Sequence, residues 1–270
     1  EEAPTSKRFG AKVGENVTGQ NYGFHELCQA LDTIGIKAGD DICVHTSLMR
    51  LGKILVKPNI FLGTFVAALR EVIGPDATLI MPTFTYSYCK QQFYDVRKSP
   101  SAMGILTEYY RKLPECQRTL DPIFSFAVSG KNADDYLHAK ATSCFGSNCL
   151  YDLLTKRKGK IVILGDRRTG YTYDHYVEEC VQVDYRYYKT FSGTTIDANG
   201  NEFQSSINYY VRCLDRPSTF ALSGTHYVLE HNHLSKEMPL GGGEILAFDC
   251  APFKEALSEL LQHDAHHWLI

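Results

Sequence analysis

The chain has 270 residues, 44% hydrophobic and 22% charged, with a net charge of −3. That suffices for one large core or two small ones, but the charge balance excludes a nucleic-acid binder that relies on a basic face. No apolar run approaches the ~18 residues of a membrane helix, and nine scattered cysteines in so large a chain read as reduced thiols of a cytoplasmic protein.

Residues 1–20 are polar and aperiodic, an extended arm ahead of a single domain over 21–270. Phe24 to Leu31 predicts a short helix. Asp41-Ile42-Cys43-Val44 predicts a strand that ends in His45-Thr46-Ser47-Leu48. A helix is expected from Gly63-Thr64 to Ile73, stopped by Gly74-Pro75-Asp76. Thr78 to Met81 is the next strand and ends in Pro82-Thr83-Phe84-Thr85. Ser99-Pro100-Ser101 predicts a cap for a helix to about Leu113.

Asn132 to Ala139 and Ser147 to Leu154 read as helices, and Ile161 to Gly165 as a buried strand. This alternation predicts parallel βα units in an α/β fold, a mixed sheet with flanking helices. From Tyr185 the period changes to two. Asp197-Ala198-Asn199-Gly200 is a hairpin turn and Glu202 to Ser206 the return, a small antiparallel β addition. Tyr209 to Gly243 has no clear period. Glu244 to Asp249 and Phe253 to Leu261 predict a last strand and a last helix.

The stretch from Tyr171 to Val181 follows the 161–165 strand. Tyr173, Tyr176, Val177, Cys180 and Val181 form the apolar stripe of an amphipathic helix. Thr172, His175 and Glu178 or Glu179 then project from the other side, close enough to meet. A histidine steadied by a carboxylate is how a protein builds a general base near neutral pH. Polar residues opposite an apolar stripe also describe any surface helix. The position after a strand favours chemistry, because ligands in α/β sheets bind at the carboxyl ends of strands.

Several segments, in order, resemble the aminoglycoside 3-N-acetyltransferase family (antibiotic N-acetyltransferases), over roughly residues 28 to 205. His45-Thr46-Ser47-Leu48 is similar to the family's His-Ser-Ser-Leu, and residues 74–85 resemble its Gly-Pro-x-Gly-Thr-Leu-x-Met-Pro-Thr-Phe run. Phe93 to Glu108 follows its next block. Residues 159–165 and Thr172-x-x-His175-x-x-Glu178-Glu179 match its most telling pair.

The resemblance implies transfer of an acetyl group from acetyl-CoA to an amine of an amino sugar, with no metal. His175 matches the family's catalytic base and Glu178 the carboxylate that orients it. Thr46 and Ser47 would face the pantetheine arm, with Leu48 beside them assigned to the cofactor, Arg118 would meet a coenzyme A phosphate, and Ser125 and Phe126 lie in a block near the cofactor. Thr172 is a candidate donor to the thioester oxygen. Thr83, Phe84, Asp121 and Glu179 are assigned to the acceptor.

Asp121 stands where the family usually carries the histidine of a His-Pro pair. An acid there suits a cationic amine, or marks a different acceptor: a nucleotide-linked amino sugar of surface polysaccharide synthesis is the alternative. The partner is a small-molecule amino sugar rather than nucleic acid or membrane, and the assembly is left open to a homodimer.

No Gly-x-Ser-x-Gly elbow supports a serine hydrolase. Cys144 and Cys149 lack a second pair at zinc spacing and read as structural. His263, His266 and His267 read as a solvated face, and Gly241-Gly242-Gly243 as a flexible loop.

Overall fold

The computed structural model describes residues 21–270; the arm expected over 1–20 lies outside them. The elements begin with α1 (Phe24–Thr33), β1 (Ile42–Thr46), α2 (Phe61–Ile73), β2 (Thr78–Pro82), β3 (Tyr94–Asp95) and α3 (Ile105–Tyr110). Next come β4 (Gln117–Arg118), β5 (Phe126–Gly130), α4 (Ala133–Leu137), α5 (Leu150–Lys156), β6 (Lys160–Gly165) and α6 (Tyr173–Val181). The chain closes with β7 (Arg186–Ile196), β8 (Glu202–Arg212), α7 (Leu222–His231), β9 (Ser235–Leu240), β10 (Gly243–Asp249) and α8 (Cys250–Asp264).

Seven strands form a mixed sheet in the order β4-β5-β2-β1-β6-β10-β9. Its centre is parallel: β1 pairs with β2 on one side and β6 on the other. The flanks, β5 against β2 and β10 against β6, are antiparallel. The expectation of parallel units therefore holds for three strands only.

The central strands are covered on both faces, which is why they read as unbroken apolar runs. Ile42, Val44, Val162 and Leu164 face a core with Leu27, Leu31, Phe65 and Leu69 of α1 and α2. Cys43, Ile161 and Ile163 face the opposite core with Tyr151, Tyr173, Tyr176 and Phe253 of α5, α6 and α8. Side-chain alternation along a strand sets this division. Phe65 and Phe253 are fully buried, each contributing about 1.5–3 kcal/mol.

The second sheet is the expected antiparallel addition. β7 and β8 pair over their whole lengths, and β3 joins β7 in parallel. The return strand runs to Arg212, six residues beyond the Ser206 expected, because its pairing with β7 continues to the Arg186–Arg212 pair.

Three local expectations change. Ser101 is not the N-cap of α3; Gly104 is, with φ 111°, and the Ser101 hydroxyl accepts from the Met103 N–H instead. Cys149 rather than Ser147 caps α5, its sulfur accepting from the Asp152 N–H. Gly241 to Gly243 is a tight turn rather than a loose loop. A Cβ at Gly241 would strike the Leu51 carbonyl, and one at Gly243 the Gly165 carbonyl. Only glycine permits that approach.

All nine cysteines are free. Among the described residues no helix is long and apolar enough to cross a membrane, and no cluster of three or more metal-binding side chains occurs.

Candidate active site

The carboxyl ends of β2, β1 and β6 lie side by side, the position where α/β sheets bind ligands. Thr46 closes β1 opposite Leu164, and the Ser47 N–H donates to the Leu164 carbonyl at 2.7 Å. Both are half-buried, whereas Leu48 is buried in the core. Because Phe126 of the antiparallel β5 stands opposite Pro82, Ser125 and Thr83 reach this same edge.

Arg118 does not present a free guanidinium there. Its Nε donates to the Thr83 and Ser125 hydroxyls at 3.0 and 3.1 Å, Nη1 to the Ser99 carbonyl at 2.6 Å, and Nη2 to the Thr83 carbonyl. The arginine expected to meet a phosphate instead ties the 96–99 loop to the sheet edge. Thr83, Phe84, Ser125 and Phe126 are buried around it.

The helix α6 departs from the amphipathic expectation. Tyr173, Tyr176 and Val177 are buried as expected, but Cys180 is exposed, while Asp174, Glu178 and Glu179 are buried. The polar face is covered by the β7–β8 hairpin and the Ser143–Phe145 loop, so this is not a surface helix.

His175 and Glu178, three residues apart, meet: Nδ1–H donates to Glu178 Oε2 at 2.7 Å. Glu178 has no exposed surface, while the His175 side chain keeps 25% of its own. The imidazole can be reached and the carboxylate cannot. The Tyr185 hydroxyl donates to Glu178 Oε1 at 2.9 Å, and Arg186 Nη2 donates to Oε2 at 2.9 Å. Burial alone would raise the Glu178 carboxyl; the His175 hydrogen bond and the Arg186 charge outweigh it and hold the group below its ordinary value. The Phe145 ring packs edge-on against His175, centroids 5.6 Å apart.

Sequence reasoning missed Tyr185, Arg186 and Phe145. The signal for Arg186 was indirect: a carboxylate on a buried face needs a cation, and an arginine opens the next strand.

Thr172 joins a second chain of contacts. Its Oγ1 lies 2.8 Å from the Tyr151 hydroxyl, which lies 3.2 Å from His45 Nε2. Burial pushes the His45 imidazole down to about 3. The native state therefore refuses a proton that the unfolded chain takes up near pH 6.5, so stability present above that pH is lost as pH falls toward 3. Thermal melts should show His45→Gln flattening this acid slope, by up to about 1.4 kcal/mol per pH unit. An unchanged slope contradicts the assignment.

The acceptor candidates separate. Asp121 Oδ1 accepts the Ile123 and Phe124 N–H groups, each at 2.8 Å, at the side of a cavity of about 250 Å³ walled by Phe124, Phe126, Cys144, Leu150 and Ile207. Burial raises its carboxyl despite those two donors. Between Asp121 and His175 stand two rings: Phe124 packs on Phe145 at 4.6 Å, and Phe145 on His175.

Glu179 lies one turn of α6 beyond His175. It accepts from Ser143 at 2.9 Å and Tyr188 at 3.2 Å, facing a polar cavity of about 520 Å³ that includes Ser147, Gln182, Asn208 and Lys254.

The sequence model of the aminoglycoside 3-N-acetyltransferase family matches residues 43–262, a span that includes the whole His175–Glu178–Arg186 cluster. This chain belongs to that family. It is 30% identical over 114 residues to aminoglycoside N(3)-acetyltransferase IV of Salmonella sp, an alignment covering 42% of this chain and 41% of the relative. Aminoglycoside N(3)-acetyltransferase III of Salmonella sp is 21% identical over 193 residues, covering 64% and 66%. The chain thus aligns with less than two thirds of either relative.

Two structures of the family share the fold over nearly their whole length. The AAC-IIIb binary structure with CoASH superposes with a TM-score of 0.76 at 19% identity, covering 90% of this chain and 97% of that one. AAC-VIa bound to sisomicin gives 0.78 at 20% identity, covering 92% and 100%.

Proposed function

We propose that this chain transfers the acetyl group of acetyl-CoA to an amine of an aminoglycoside or related amino sugar, with His175 as general base. The observation that carries the proposal is a reachable imidazole hydrogen-bonded to a fully buried carboxylate at the edge of a parallel sheet. The CoASH and sisomicin complexes of AAC-IIIb and AAC-VIa support the donor and acceptor classes.

The chain has room for a nucleotide-tailed donor. A cavity of about 610 Å³ beside the end of β2 is lined by Thr85, Ser87, Lys90, Phe93 and Lys98 to Ala102. A second of about 580 Å³ shares Ser101 and Ala102 and extends past Gly104 to Tyr109 and Lys112. Such volumes are typical of small-molecule sites, and the exposed Lys90 and Lys98 offer charge to phosphates.

Acetyl-CoA bound there supplies a thioester carbonyl; the rest falls to the protein. Glu178 accepts the Nδ1–H and so leaves the lone pair of His175 on Nε2. Nε2 takes the proton of the amine as its nitrogen attacks the thioester carbon, and Glu178 stabilises the imidazolium that forms. The C–S bond then breaks and the imidazolium returns the proton to the departing coenzyme A thiolate. Ser47 and Thr172 are the proposed hydroxyl donors to the developing oxyanion. Asp121 holds a second ammonium of the acceptor away from the reacting one.

Thiol release from acetyl-CoA is the test, measured across aminoglycosides and nucleotide-linked amino sugars. Amine-dependent release with aminoglycosides is expected. Response to the nucleotide sugars alone would move the acceptor to polysaccharide synthesis, and release without any amine would contradict acetyl transfer. Asp121→Asn should raise acceptor KM by about 10–100-fold, the loss of one hydrogen bond to a charged group, with KM for acetyl-CoA unchanged. An unmoved acceptor KM removes Asp121 from the site.

A further inference from the structure

We infer that Arg186 is a positioning residue whose guanidinium opposes protonation of the His175 imidazole, offsetting the charge of Glu178 there. This rests on His175 acting as a base. A lone carboxylate against an imidazole favours the protonated ring, and a protonated ring accepts no proton. Here Arg186 Nη2 lies 3.0 Å from His175 Nδ1 and 2.9 Å from Glu178 Oε2. The three groups form one triangle in which Nδ1–H is directed to the carboxylate. The Arg186 side chain is 3% exposed, so bulk ions screen its charge poorly.

The other groups facing this cluster are Asp174, Tyr185 and Tyr209, none of them a cation. Asp174 Oδ1 lies 3.6 Å from Nδ1 as a second carboxyl on the cluster, raised from its ordinary value by burial. Tyr185 donates to Glu178 as a neutral phenol. On β8, burial pushes the Tyr209 phenol beside Arg186 up to about 12. Arg186 is therefore the one cation among these groups, set against the Glu178 and Asp174 carboxyls.

Arg186 Nη1 donates to the Tyr210 carbonyl at 3.1 Å, while its buried Nε has no acceptor among the described residues.

NMR titration of the His175 imidazole tests the inference, its resonance assigned by comparison with His175→Gln. Arg186→Gln should raise the titration midpoint by about one pH unit or more, the usual effect of a charge this close. Arg186→Lys, which keeps the charge, should hold the midpoint near its original place. A midpoint unmoved in the folded Gln variant overturns the inference.

Should Arg186→Gln fail to fold, Glu178→Gln is compared with the double variant Glu178→Gln/Arg186→Gln, in which neither charge remains. The double variant should titrate at higher pH than the single one, and coincident midpoints overturn the proposal. The titration involves no acetyl transfer, so the two readings fail separately: full turnover by His175→Ala removes the base, whereas an unmoved midpoint removes only the part given to Arg186.

Discussion

His175→Ala is expected to lower turnover by about 10²–10⁴-fold, the usual contribution of a positioned general base, while coenzyme A still binds. Nδ1 is committed to Glu178, so only Nε2 is free to take the proton. Among the candidates at the sheet edge, Ser47 and Thr172 bear hydroxyls that titrate far above neutrality, and His45 is buried with its imidazole pushed down to about 3. None of these is expected to stand in for the imidazole. Thiol release at saturating amine measures the turnover, and a thermal-shift titration with coenzyme A shows that the donor site survives. Near-native turnover in this variant contradicts the mechanism.

The second large effect is on stability. Glu178→Ala should destabilise the fold by about 3–5 kcal/mol, because it strands the buried Arg186 cation without its partner. The pair is 0% and 3% exposed, so water cannot take the place of the carboxylate. For a chain of this size the loss corresponds to a Tm drop on the order of 10 °C. Glu178→Gln keeps an oxygen for both Nδ1 and Nη2 and should recover part of that loss. Equal stability of wild type and the Ala variant in chemical denaturation would show that the pair is not the buried one described.

What could be read from the chain followed from periodicity. The strands at 42–46, 78–82 and 160–165 were legible because burial on both faces leaves near-continuous apolar runs, and α6 because Tyr173, Tyr176 and Val177 repeat at helical spacing. His175 and Glu178 were legible as a pair, since spacing three places them together on any helix. That Glu178 rather than Glu179 faces the imidazole was indicated only by family resemblance, and the 2.7 Å contact is what distinguishes them.

The remainder depends on contacts distant in sequence. Tyr185 and Arg186 look like ordinary strand residues until the hairpin folds over α6. Arg118 looks like a free cation until the 96–99 loop closes on it. The strand β9 carries Pro239, which an edge strand tolerates and which hides it from a pattern search. The helix α7 places Gly224 against the Phe220 ring, a packing choice that local propensity argues against.

The most direct test of the central claim is a crystal structure with coenzyme A bound. The account predicts its sulfur within about 6 Å of His175 Nε2, the span left when an amine nitrogen bridges base and thioester at about 3 Å on each side. A sulfur on the far side of the sheet, or separated from Nε2 by protein, would contradict it.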